Sequence, residues 1–308
     1  MSELSGKTEK RTLSIIVAYF LIYVIWGSTY YFIGVAMKGF PLFLLGAIRF
    51  SFAGLFLLVW CRLRGENIFK KTLIKKSAIS GIVLLFIDMA VVMFAQKYVS
   101  SSLVAIIASS TAIWIMALDV PMWKKNLRNP FAVAGIIIGF LGVLMLYIEQ
   151  FSSEKTSDDG KYGIFILVFG CITWALGTLY AKYCSSGEEE VNAFAGSAWQ
   201  MLFASAMFWL CAFVNQDVLE IDLSQVPSSA WFSLIYLIIF GSIFAYSAYL
   251  WLLKIRSAIE VGTHAYVNPL VAVFFGTTFG KENVTLIQII GLLVILISVM
   301  LTSKRSRK

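Results

Sequence analysis

Ten apolar runs dominate this 308-residue chain, at residues 13–36, 42–61, 77–96, 100–122, 131–148, 162–183, 194–213, 230–253, 259–279 and 285–302. A helix needs about 20 mainly apolar residues to cross a bilayer. The runs are of that order, and the gaps between them leave no room for a separate soluble domain. Composition agrees. Here 59% of residues are hydrophobic and 14% charged, against roughly 45–50% and about 25% in soluble domains. Burial in water does not account for so much apolar surface; a membrane does. The chain reads as an all-α polytopic membrane protein with ten transmembrane helices.

A net charge of +8 would suggest nucleic acid in a soluble protein. Here loop position explains it, and no nucleic-acid partner is expected. With the N-terminus inside, 19 of the 25 Lys and Arg residues fall in inner segments, including Lys10, Arg11, Arg62, Arg64, Lys75 and Arg305. Only 5 fall outside (Lys38, Lys97, Lys155, Lys161 and Lys281), and Arg49 lies within a span. The positive-inside rule then places both termini in the cytoplasm. The first run is too long for a signal-peptide core and lacks a cleavage site, so it reads as a retained helix. Cys61, Cys171, Cys184 and Cys211 show no paired spacing and read as structural thiols.

The chain also repeats itself. Gly27-Ser28-Thr29-Tyr30 returns as Gly177-Thr178-Leu179-Tyr180, at an offset of 150. Ala47-Ile48-Arg49 with Phe52-Ala53 returns as Ala198-Trp199-Gln200 with Phe203-Ala204, at 151. Lys97, Ser100, Ala108 and Thr111 match Lys254, Ser257, Ala265 and Asn268, at 157. Each match is weak alone, but they occur in order. They divide the chain into repeats over 12–150 and 160–303, with five helices each. An odd helix number inverts the second repeat in the membrane. Inverted repeats are common in secondary transporters, with the substrate site near the midplane between halves.

On these residues the chain resembles the EamA-domain proteins of the drug/metabolite transporter superfamily, among its ten-helix exporters. The resemblance rests on "WGSTYYFIGVAMKGFPLFLLGAIRF" (Trp26–Phe50), "ITWALGTLY" (Ile172–Tyr180), "AYVNPLVAVFFG" (Ala265–Gly276) and the Gly280-Lys281-Glu282 turn. It implies a monomeric basket of helices that exports small metabolites by alternating access, with helices 5 and 10 outside the central cavity. The residues themselves suit that layout. Helix 5 has no polar side chain until Tyr147, and helix 10 has little beyond Gln288 and Ser298. Gly135-x-x-x-Gly139 is a close-packing motif, used either within a monomer or between two copies.

Candidate site residues are polar or aromatic groups at depth. Tyr23, Trp26 and Tyr30 share one helix face, as do Ser242, Tyr246 and Tyr249; Trp174 and Thr178 are spaced i, i+4. Aromatics near helix ends, such as Tyr30, Tyr31 and Trp231, also suit an interfacial role. Trp26 and Trp174 lie 12–13 residues from their helix starts, roughly 18–20 Å deep, too deep for that role. Arg49, Asp88 and His264 are ionisable groups within spans, where charge is expensive and usually functional. Arg49 suits a substrate carboxylate, with Gln200 and Asn268 as further polar contacts. His264 is open to either a packing role or proton transfer. Asn268-Pro269 should kink helix 9 and free the carbonyl of Ala265, with Ser109-Ser110-Thr111 as its repeat counterpart. Arg49 and Asp88 sit at similar depth on consecutive antiparallel helices, so an ion pair is expected between them. Asp119 and Glu149 fall at helix ends, within reach of water.

Other chemistries lack their motifs. Gly276 to Lys281 is one residue short of a phosphate loop and ends a membrane helix. No cluster of Cys and His suggests a metal, and nothing resembles a nucleophile elbow. No cofactor and no enzymatic activity are expected. The reading is an inner-membrane secondary transporter for small amphipathic metabolites, amino acids or drug-like compounds. A channel or a non-transporting scaffold is the alternative, ahead of a membrane-embedded enzyme. The first test is topological. Reporter fusions at residue 156 and at the C-terminus should report the outside and the cytoplasm respectively; a cytoplasmic signal at 156 refutes the arrangement.

Overall fold

The structure, a computed structural model, describes residues 12–126, 128–152, 158–184 and 193–303. The terminal basic groups (Lys7, Lys10, Arg11 and 304–308), Lys155, and the side chains of Lys125, Tyr147, Lys161 and Cys184 lie outside what it describes. Among the described residues there is no strand. The longer helices are α1 (Thr12–Ala36), α2 (Leu42–Leu63), α3 (Lys71–Ala95), α4 (Ser101–Leu118) and α5 (Pro130–Ser152). They continue as α6 (Asp158–Cys184), α7 (Ala193–Val214), α8 (Ser228–Ile255), α9 (His264–Thr278) and α10 (Leu286–Ser303). Seven, α1 to α4 and α6 to α8, are long and apolar enough to cross a membrane; α5, α9 and α10 hold shorter apolar stretches.

Local chemistry starts these helices. Pro41 and Pro227 precede α2 and α8, and Pro130 opens α5, where a missing N–H costs nothing. Ser100 caps α4 by accepting the Leu103 N–H at 3.2 Å. Ser257 does the same for Glu260 ahead of α9. The run expected at 259–279 is interrupted at Gly262-Thr263, and α9 then continues through Pro269. The break therefore falls ahead of the proline. Its counterpart in α4 falls at Ser109-Ser110, as the polar run suggested.

The bundle is apolar outside, and its largely apolar interior also holds polar and charged groups. Phe52, Leu55, Phe56 and Val59 of α2, and Leu141 and Leu144 of α5, are exposed. Arg49, Asp88, Ser109, Thr178, Gln200 and His264 are buried. So much exposed apolar surface suits a lipid surround. α2 packs most extensively on α7, and α5 on α10. α1 meets α8 and α9, and likewise α6 meets α3 and α4. Gly139 packs against Ile113 of α4 and Ser298 of α10, so this glycine serves contacts inside the chain.

Small residues set the closest crossings. A Cβ on Gly27 would stand 2.7 Å from Val271 Cβ and 3.0 Å from the Asn268 carbonyl oxygen. The Gly27-Ser28-Thr29 triplet therefore lets α9 lie directly against α1. A Cβ on Gly81 would collide with the Gln200 carbonyl and stand 2.7 Å from Gln200 Cα, at the crossing of α3 and α7. Backbone cannot yield as a side chain does. Gly81→Ala should therefore destabilise the protein by about 1–3 kcal/mol, the range for overpacking. Thermal unfolding in micelles should show the loss, whereas Gly65→Asn, in a turn with open space around it, should show little.

Candidate functional site

Three helices contain wide, π-helical turns: Leu21–Ile25 in α1, Ile82–Ile87 in α3 and Leu237–Tyr246 in α8. Such turns open the usual hydrogen-bond ladder and concentrate at functional sites. Side chains from other helices reach their carbonyls. Trp26 Nε1 donates to Gly241 O at 3.0 Å. The Asn268 amide, oriented with its nitrogen toward the available acceptors, donates to Ile22 O at 2.9 Å and Tyr23 O at 2.8 Å.

Around these turns lies a cavity of about 70 Å³ walled by α1, α2, α3, α4, α6, α8 and α9. No described residue of α5 or α10 lines it. From the first half, Trp26, Tyr30, Arg49 and Asp88 reach it; from the second, Trp174, Tyr246, His264 and Asn268 do. Three expected site residues do not. Thr178 and Tyr249 share a hydroxyl hydrogen bond of 2.5 Å, and Gln200 accepts from the Tyr246 hydroxyl. All three form a buried layer behind the wall. Tyr23 also turns away, its hydroxyl 2.7 Å from Thr263 Oγ1.

Trp26 is the centre of an aromatic cluster that spans the wall and the layer behind it. Its ring centroid lies 5.5 Å from Trp174, 5.0 Å from Tyr249, 6.3 Å from Tyr246 and 5.5 Å from His264. Tilted and edge-on contacts at these distances favour π-electron complementarity. His264 Nδ1 lies 3.0 Å from Val261 O. A carbonyl only accepts, so Nδ1 carries the hydrogen and the neutral ring keeps Nε2 as its acceptor.

The two charges do not meet. Arg49 Nε donates to Ser242 Oγ at 2.8 Å, Nη1 lies 4.0 Å from the Met89 sulphur, and the guanidinium carbon sits 5.0 Å from the centre of the Phe50 ring. Nη2 makes no hydrogen bond and lies beside Gly241, another residue of the cavity wall. Asp88, 6% exposed, lines the same cavity with no ion pair and no hydrogen bond. The expected Arg49–Asp88 bridge is therefore absent, because Ser242 draws the guanidinium toward α8. Asp119 corrects another expectation. It is 3% exposed and accepts from the Tyr183 hydroxyl, so it faces protein rather than water.

Cys171, Met89, Thr29 and the Gly241 backbone line the cavity without having been singled out. Cys171 precedes Trp174 by three residues, so the shared helix face was readable; Met89 carried no signal. Among the described residues, no three His, Cys, Asp or Glu groups could together hold a metal. The buried Tyr246–Gln200 bond yields a test. Gln200→Leu leaves the tyrosine hydroxyl unpaired and should cost about 1–3 kcal/mol. Adding Tyr246→Phe should recover most of that loss in thermal unfolding.

Comparison with known proteins follows the same lines. The EamA-like transporter family model matches residues 13–148 and 161–304. The "Uncharacterized inner membrane transporter YedA" of Escherichia coli K12 is 29% identical, over 96% of this chain and 92% of its own length. An "Uncharacterized transporter" of Archaeoglobus fulgidus is 24% identical, over 94% of this chain and 96% of its own. A protein of known crystal structure shares the fold with a TM-score of 0.69 at 17% identity, covering 94% of this chain and 96% of that one.

Proposed function

This chain belongs to the EamA-like transporter family, and we propose on that premise that it is a secondary carrier exporting small amphipathic metabolites by alternating access. It is a multi-pass membrane transporter; the cargo class, direction and cycle are the proposal. The observation that carries it is the central cavity, enclosed by both halves and combining an aromatic wall with Arg49 and Asp88. Amino acids and drug-like compounds suit such a wall. Arg49 supplies the anion contact. With Nε engaged by Ser242, a carboxylate is received end-on by Nη1 and Nη2, displacing only the weak Met89 contact.

Several features support two inverted five-helix halves. The most extensive helix pairings map onto one another when α1–α5 and α6–α10 are exchanged: α2 with α7, α5 with α10, and α1 on α8 and α9 as α6 on α3 and α4. The wide turns of α3 and α8 overlap at an offset of 157, and so do the Ser100 and Ser257 caps. Arg49 meets Met89 as Gln200 meets Tyr246, in equivalent places of each half. In this arrangement both termini are cytoplasmic, in the inner membrane by analogy with the relatives. Rocking one half against the other moves the cavity's opening from one side to the other.

Reconstitution tests the reading. Proteoliposomes should show saturable flux and counterflow of labelled phenylalanine or another small amphipathic probe. Trp26→Ala should reduce that flux at least about tenfold, equivalent to roughly 1.4 kcal/mol. Unsaturable flux would make the protein a channel, and chemical conversion of the probe an enzyme.

A further inference from the structure

The chain treats its two cavity charges differently. Arg49 has a built environment in Ser242, the Phe50 ring and the Met89 sulphur. Asp88 has none. Its side chain is 6% exposed and accepts no hydrogen bond. Oδ1 lies over Gly170, where an added Cβ would come within 3.5 Å.

Every helix around Asp88 bears on this. The titratable or charged groups on the cavity wall are Tyr30 of α1, Arg49 of α2, Cys171 of α6, Tyr246 of α8 and His264 of α9. α4 contributes Thr111, and α7 packs on α3 near Gln200; neither titrates. Among the described residues, Arg49 is the one fixed cation on this wall, and it is anchored to α8. His264 spends its Nδ1 hydrogen on Val261. An ionised carboxylate without a partner in a low-dielectric interior is so costly that such groups are neutralised instead. Whatever neutralises Asp88 is not among the described residues of the chain. It is a proton or a cation on the ligand, and one carboxylate serves one of them at a time.

We propose that Asp88 is a proton-exchange site: it holds a proton in the empty carrier and yields it to the cationic end of the cargo. The O–H bond breaks, the proton passes to water at the cavity mouth, and the carboxylate forms an ion pair with the incoming ammonium. No redox partner is needed. Because the two cations exclude each other, movement of such a cargo one way is tied to proton movement the other way. The inference rests on the carrier reading and adds its driving ion.

The test uses the full chain in lipid nanodiscs, with phenylethylammonium as the probe. Infrared spectra of the empty protein should show a protonated-carboxyl band that Asp88→Asn removes and Asp88→Glu shifts. Adding the probe should abolish the band and release a proton for each probe bound. Between the proton affinities of the empty and the loaded site, apparent affinity for the probe should rise about tenfold per pH unit as pH increases, and be flat in Asp88→Asn. Asp88→Glu, which keeps the carboxyl, should keep the release. Absence of an Asp88-dependent band, or a band untouched by saturating probe, overturns the proposal; so does proton release that survives Asp88→Asn but is lost in His264→Gln. Counterflow of labelled phenylalanine reads the carrier function separately. Counterflow with an unresponsive band sinks only this inference, whereas a responsive band without counterflow sinks the carrier reading and leaves the site.

Discussion

Inside a bilayer no water replaces a missing hydrogen bond, and the interior of this protein is organised by that constraint. Wide turns in α1 and α8 expose carbonyls, and each is tolerable because a side chain from elsewhere in the chain covers it. Trp26 of α1 serves Gly241 of α8; Asn268 of α9 serves Ile22 and Tyr23 of α1. Trp26 is thereby locked in place, and four other rings pack around it. The cavity wall is a by-product of satisfying the backbone, which makes it rigid without a dedicated scaffold.

The same constraint separates polar groups that satisfy one another from those left open to the cavity. Thr178, Tyr249, Gln200 and the Tyr246 hydroxyl satisfy one another and can remain buried without a ligand. Arg49 is held on Nε but leaves Nη2 unbonded beside Gly241 of the cavity wall, and Asp88 is held by nothing. In water such differences would blur, because solvent would complete each group. At membrane depth they leave Arg49 and Asp88 incompletely satisfied on one small cavity.

Much of this was legible in the residues. Long apolar runs dictated helices, and Trp26 and Trp174 declared themselves by lying too deep for interfacial anchors. Helix-face reasoning went astray where the helix was not α. The wide turn at Leu21–Ile25 changes the angular step per residue, so Tyr23 leaves the face it would otherwise share with Trp26 and Tyr30. The turn ending at Tyr246 likewise separates Tyr249 from Ser242. Nothing in a one-dimensional pattern announces a wide turn, because its stability comes from partners on distant helices.

The sequence by itself determined that the chain is a polytopic helical membrane protein, since only a lipid surround accommodates so much apolar surface and only closed hydrogen-bond ladders survive there. It also determined which ionisable groups lie at depth, because depth follows from distance along a helix. The tertiary structure alone decided which of those groups meet. Arg49 and Asp88 stand at similar depth on neighbouring helices, yet the guanidinium turns to Ser242, nearly two hundred residues away. The physical reason is that pairing depends on azimuth and on competing acceptors. Both are set by how helices cross, and the crossings are set by contacts such as Gly27 on Asn268 and Gly81 on Gln200 that exist only once the bundle has closed.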